Sequence, residues 1–192
     1  MKIAVFASGT GSNFAAILKS IETKQITNVE IVLLVSDNPE ALAVKKAKEA
    51  LIAVFTFRAK EYPNKQAYEE EILEKLTESG TDFIVLAGYM RLLGSILLHA
   101  FEGEIINVHP SLLPAFKGKD AIGQALGYGV KITGITVHYV DEGMDTGPII
   151  AQRAIMIDPK ETRDSLMKKI QEQEHQLLPE VLQDLVNIGG YK

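Results

Sequence analysis

The stretch Ile3-Ala4-Val5-Phe6-Ala7, followed by Ser8-Gly9-Thr10-Gly11-Ser12-Asn13 and then by Phe14, Ile17, Leu18 and Ile21, decides the fold class. Five apolar residues in a row, without alternation, describe a strand covered on both faces, as in a parallel sheet. Phe14, Ile17, Leu18 and Ile21 fall at i, i+3, i+4 and i+7, one face of a helix. A second run, Ile31-Val32-Leu33-Leu34-Val35, completes a strand–helix–strand unit.

The alternation continues outward through Ile52-Ala53-Val54-Phe55, Phe83-Ile84-Val85-Leu86-Ala87 and Ile105-Ile106-Asn107-Val108. Between these runs, Asn38 before Pro39 reads as a helix cap and first helical residue, and Gly80 closes a helix carrying Tyr68, Ile72, Leu73 and Leu76. Beyond Pro110 the pattern changes. A loop punctuated by Pro110, Pro114 and Gly118 leads to a short helix near 121–126, then to a period-two strand over 132–140 and another over 148–157. Thr162 opens a long last helix, which Pro179 is expected to kink or interrupt. The expectation is one α/β domain with about six or seven strands, a parallel first half and a more antiparallel second half.

Composition narrows the function classes. The chain has 192 residues, 46% apolar and 23% charged, ordinary values for a folded domain. With 25 acidic and 20 basic residues the net charge is −5, which argues against a broad nucleic-acid or anionic-membrane footprint. Cysteine is absent, so thiolate nucleophiles, disulfides and zinc–thiolate sites are excluded. The histidines, His99, His109, His138 and His175, show no short metal-binding spacing, and no metal is expected. No apolar run approaches the roughly 20 residues of a membrane span, and the first run is too short for a signal peptide. A cytoplasmic enzyme is the expectation.

Three segments could carry chemistry. Ser8 to Asn13 lies between a strand and a helix, where free N–H groups and the helix dipole favour a phosphate. A dinucleotide fits less well, because Phe14 stands at the third glycine position of G-x-G-x-x-G and no lysine follows for a Walker loop. Asp37 is a weak ribose candidate, and a purely structural turn remains the alternative. In Asn107-Val108-His109-Pro110-Ser111-Leu112-Leu113-Pro114, Asn107 and His109 project from one face of a strand at its carboxyl end. An amide donor beside an imidazole suits chemistry through a tetrahedral oxyanion, although a structural pair is also consistent. The loop Asp141-Glu142-Gly143-Met144-Asp145 carries three carboxylates, but Gly143 occupies the position where a calcium loop needs an oxygen ligand. One of these carboxylates could pair with a histidine; a solvated hairpin is the alternative. Lys65, in the first turn of its helix, meets the positive end of the dipole, which a ligand anion would offset; a solvated lysine is the alternative. Glu174, on the apolar stripe of Leu166, Ile170, Leu177, Leu178 and Val181, needs a partner, either a ligand amine or hydroxyl or a base on the protein. His99, His138 and His175 read as structural.

Taken together, Ser8–Asn13, Leu86-Ala87-Gly88-Tyr89-Met90-Arg91-Leu92-Leu93, the Asn107–Pro114 block and Asp141–Pro148 resemble the glycinamide ribonucleotide formyltransferases, over nearly the whole chain. The resemblance implies a single Rossmann-like formyltransferase domain over 1–192: a nucleotide-binding-like half at about 1–108, and a half at about 109–192 completing a folate site. It implies transfer of a formyl group from 10-formyltetrahydrofolate, as co-substrate, to the amine of glycinamide ribonucleotide. Asn107, His109 and Asp145 would be catalytic. Gly11, Ser12, Asn13, Gln171, Glu172, Gln173 and Glu174 would bind the ribonucleotide. Lys65, Met90, Arg91, Leu92, Leu93, Asn107, Asp141, Glu142, Gly143, Met144 and Asp145 would bind the folate. Two residues depart from the family pattern: Lys65 stands where arginine is common, and Lys117 where proline is frequent. Among related enzymes, a tRNA formyltransferase would need a further basic domain and a formyltetrahydrofolate hydrolase a preceding regulatory one. A nucleotide-binding module without catalysis is the remaining rival.

Overall fold

Among the described residues, seven strands form one sheet in the order β3-β2-β1-β4-β5-β6-β7. The computed structural model describes residues 1–189, so the last three residues of the expected second half lie outside the described residues. The strands are β1 (Lys2–Phe6), β2 (Glu30–Ser36), β3 (Val54–Thr56), β4 (Phe83–Leu86), β5 (Ile105–His109), β6 (Ile132–Tyr139) and β7 (Ile149–Met156). The pairs among β1 to β5 are parallel, whereas β6 runs antiparallel to both β5 and β7. The expected change of character after residue 108 is therefore a change of strand direction at the β5–β6 seam.

Helices α1 (Ser12–Glu22), α2 (Leu42–Glu49), α5 (Ala121–Tyr128) and α6 (Arg163–Gly189) pack with one face of the sheet, against Ile3, Val5, Ile106, Val108, Ile135 and Val137. Helices α3 (Lys65–Glu78) and α4 (Ser95–Ala100) cover Ala4, Phe6, Ile84, Leu86 and Ile105 on the other. Alternation along β5 thus places Ile106 and Val108 in the first layer and sends Asn107 and His109 to the second.

Two helix boundaries differ from expectation. Asn38 does not cap α2. Its side chain accepts from Glu40 N at 3.1 Å and its carbonyl from Ala41 N at 3.0 Å, so residues 38–41 form a tight turn and the helix starts at Leu42. Pro179 does not interrupt α6, which is assigned continuously from Arg163 to Gly189. A mid-helix proline costs roughly 3 kcal/mol. Burial of Ile170, Leu177, Leu178, Val181, Leu182 and Leu185 on the same helix contributes about 1.5–3 kcal/mol per side chain and outweighs it. Gly80 does end α3, at φ +64°, as read from the sequence.

Candidate active site

The site forms where the sheet order reverses, between β1 and β4, and extends along the carboxyl end of β5. The loop after β1 turns through Gly11 at φ +64°, and a Cβ there would come within 2.7 Å of Ala43 Cβ, so glycine is required. Ser12, Asn13 and Phe14 follow in the first turn of α1, where helix geometry gives their N–H groups no intrahelical acceptor. Lys46 of α2 donates from Nζ to Thr10 O at 2.8 Å, bringing a cation to this loop. Sequence reading missed it, because the contact depends on how α2 packs.

Asn13 Nδ2 donates to Glu174 Oε2 at 3.0 Å, tying the loop to α6. Burial pushes the Glu174 carboxyl up to about 7, opposed in part by the Asn13 hydrogen bond. Asn13 Oδ1 is buried with no hydrogen-bond partner among the described residues. Of the four α6 residues expected here, Glu174 reaches the loop, Gln171 and Gln173 are half-buried, and Glu172 is exposed.

Leu86 is paired with Asn107, so the segment leaving β4 starts beside the amide. Within it Met90 and Leu92 are 77% and 57% exposed, apolar side chains left uncovered next to a polar cluster. Arg91 Nε donates to Asp37 Oδ2 at 2.8 Å, which occupies the carboxylate read as a ribose candidate. Lys65 lies at the far end of the segment, 3.7 Å from Glu69, whose buried carboxylate accepts from Gly94 N at 2.6 Å. Its anionic partner is thus Glu69.

The centre of the site is Asp145. Its Oδ2 lies 3.4 Å from His109 Nδ1, and its Oδ1 accepts from Asn107 Nδ2 at 3.5 Å. The amide and the imidazole therefore share a face and converge on one carboxylate, as their spacing predicts. Burial opposes the Asp145 charge, but His138, the Gly118 N–H at 2.7 Å and His109 outweigh it and hold the carboxyl below its ordinary range. His109 Nε2 lies 2.8 Å from Phe116 O. Both ring nitrogens of His109 thus face oxygen acceptors, which a ring protonated at both nitrogens satisfies.

His138, read as structural, joins this cluster. Its Nε2 sits 3.2 Å from Asn107 Nδ2 and 3.7 Å from Asp145 Oδ1, because β6 pairs His138 with Asn107 across the antiparallel ladder. Thr136, two residues earlier on the same strand, stands opposite His109 in the same ladder. In the loop after β6, Asp141 accepts from Gly143 N at 3.0 Å and Thr146 Oγ1 at 2.6 Å, so its side chain holds the turn that delivers Asp145. Glu142 is exposed, and Met144 is 46% exposed beside Gly118. His99 is exposed on α4, whereas His175 Nε2 is buried without a partner among the described residues.

Comparison with known proteins identifies the family and the fold. A family model described as formyl transferase matches residues 1–182. Phosphoribosylglycinamide formyltransferase of Bacillus subtilis is 51% identical over 189 residues, covering 98% of this chain and 96% of that one. The crystal structure of phosphoribosylglycinamide formyltransferase from Bacillus halodurans superposes with a TM-score of 0.94 at 51% identity, covering 97% of this chain and 95% of that one. That of glycinamide ribonucleotide transformylase 1 from Geobacillus kaustophilus gives 0.93 at 52% identity, covering 96% and 97%. A family match over residues 1–182, with relatives half identical along nearly their whole length and the same fold, means that the chain belongs to the formyl transferase family.

Proposed function

We propose that this protein is a cytoplasmic enzyme that transfers the formyl group of 10-formyltetrahydrofolate to the primary amine of glycinamide ribonucleotide, in purine biosynthesis. The observation that carries the reading is the convergence of Asn107, His109 and Asp145 at the end of β5. The ribonucleotide phosphate would take the N–H groups of Gly11, Ser12 and Asn13, with Glu174 and its helical neighbours near the sugar and glycinamide. The folate would lie against Met90 to Leu93 and the 141–145 loop, where apolar surface is exposed.

In the reaction the amine nitrogen attacks the formyl carbon, and the carbonyl electrons move onto oxygen. Asn107 and His109 donate to that oxygen, while Asp145 balances the imidazolium charge. The attacking nitrogen loses a proton, the bond from formyl carbon to folate nitrogen breaks, and that nitrogen gains a proton. Because Phe116 O already sits 2.8 Å from His109 Nε2, the formyl oxygen would replace one carbonyl acceptor with another.

The test is to follow tetrahydrofolate release with and without glycinamide ribonucleotide. Release that depends on the ribonucleotide is expected. Equal release in its absence would mean that water is the acceptor and would refute the transferase assignment.

A further inference from the structure

We propose that Asp37 is a positioning residue that couples the two substrate loops, so that filling one raises the affinity of the other. The inference rests on the placement of ribonucleotide and folate given above. The loops after β1 and β4 leave the sheet at its point of reversal, and Ser8 N donates to Gly88 O at 3.1 Å across the gap. Ser8 Oγ donates to Asp37 Oδ1 at 2.5 Å and itself accepts from Met90 N at 3.0 Å. Arg91 Nε donates to the second Asp37 oxygen at 2.8 Å. One carboxylate, at the end of β2, thus fixes a side chain of the ribonucleotide loop with one oxygen and a side chain of the folate loop with the other.

The geometry favours transmission over mere support. Ser8 is three residues from Gly11, in a loop held from behind by the bond from Ala43 N to Gly9 O at 3.1 Å. Met90 and Arg91 belong to the segment with the exposed apolar side chains. Its far end is held by the bond from Gly94 N to Glu69, and its near end by the bonds to Ser8 and Asp37, so a ligand on this segment bears directly on the Asp37 network. The Asp37 side chain is 12% exposed, so its charge-assisted bonds are weakly screened. Ordering either loop fixes Asp37, and the second ligand then meets a loop already ordered.

Calorimetry with glycinamide ribonucleotide and tetrahydrofolate, a pair that cannot react, measures the effect. In the wild type each ligand should tighten the other about fivefold or more, by the same factor in both directions. Asp37→Ala and Ser8→Ala should each bring that factor to within twofold of unity, while Asp37→Asn, which retains an acceptor, keeps part of it. A wild-type factor of one, or a full factor in Asp37→Ala, would overturn the proposal. Should Asp37→Ala not fold, Ser8→Ala decides alone. The underlying placement is checked separately: ribonucleotide alone should shift the backbone amide NMR resonances of Gly11, Ser12 and Asn13, and unshifted resonances there would reject the placement whatever the coupling.

Discussion

Glu174 offers a quantitative test of how the phosphate loop is joined to α6. The residue is 8% exposed, and burial raises the carboxyl pKa from 4.5 to about 7. Each tenfold change in proton affinity is worth about 1.4 kcal/mol, so ionising the group in the fold costs about 3 kcal/mol relative to the unfolded chain. The sign follows from which state holds the proton. Between pH 4.5 and about 7 the folded protein retains it and the unfolded chain does not, so stability is full below pH 4.5 and falls as the pH rises through 7. The neutral acid also brings an O–H donor to the neighbourhood of Asn13 Oδ1, which otherwise has no hydrogen-bond partner among the described residues. Glu174→Gln fixes the neutral state and offers Nε2 in place of that O–H. Denaturant unfolding of both proteins from pH 4.5 to 8 should show the wild type losing about 3 kcal/mol relative to the variant. If the two curves stay parallel throughout, the carboxyl is not held neutral by burial and the reasoning fails.

Other outcomes follow from the same structure. His109→Ala should lower turnover by at least about a hundredfold with the fold intact, since one oxyanion donor is worth roughly 2.7–4 kcal/mol; steady-state kinetics with near-normal turnover would contradict its role. Asp145→Asn should reduce kcat at least about tenfold. Because the Asp145 carboxyl sits below its ordinary range, its contribution to stability is present above the unfolded value and lost as pH falls through the lowered one. Acid unfolding of the variant should therefore lack that step. Gly11→Ala should destabilise the protein by about 1–3 kcal/mol and weaken ribonucleotide binding, because its Cβ would lie 2.7 Å from Ala43 Cβ at a positive φ; calorimetric binding at wild-type strength would show that the loop can adjust.

What could be read without coordinates was whatever depends on neighbours in sequence. Unbroken apolar runs gave the buried parallel strands, and the spacing of Asn107 and His109 placed both on one face. The stripe on α6 flagged Glu174 as needing a partner, although Asn13 as that partner required knowing that α1 packs on α6. His138 was hidden because its role comes from pairing with Asn107, a relation between strands that no local pattern encodes. Lys46 was hidden likewise, and Asp37 was read as a ribose candidate instead of a tie between loops, because their partners, Thr10, Ser8 and Arg91, are distant in sequence. Asn38-Pro39 misled in the other direction, since the same residues that start helices also close tight turns.

The strand reversal between β5 and β6 has a consequence for transplanting this chemistry. Asn107 and His109 ride on a ladder whose pitch is set by backbone bonding, about 6.6–6.8 Å for two residues, while Asp145 arrives on a hairpin whose length can vary. A recipient scaffold would have to supply an opposed strand carrying the His138 equivalent, so copying the tripeptide alone onto an all-parallel sheet would leave the amide without its lateral brace. Trimming or extending the hairpin, by contrast, would retune only the reach of the carboxylate, leaving the two donors at fixed separation.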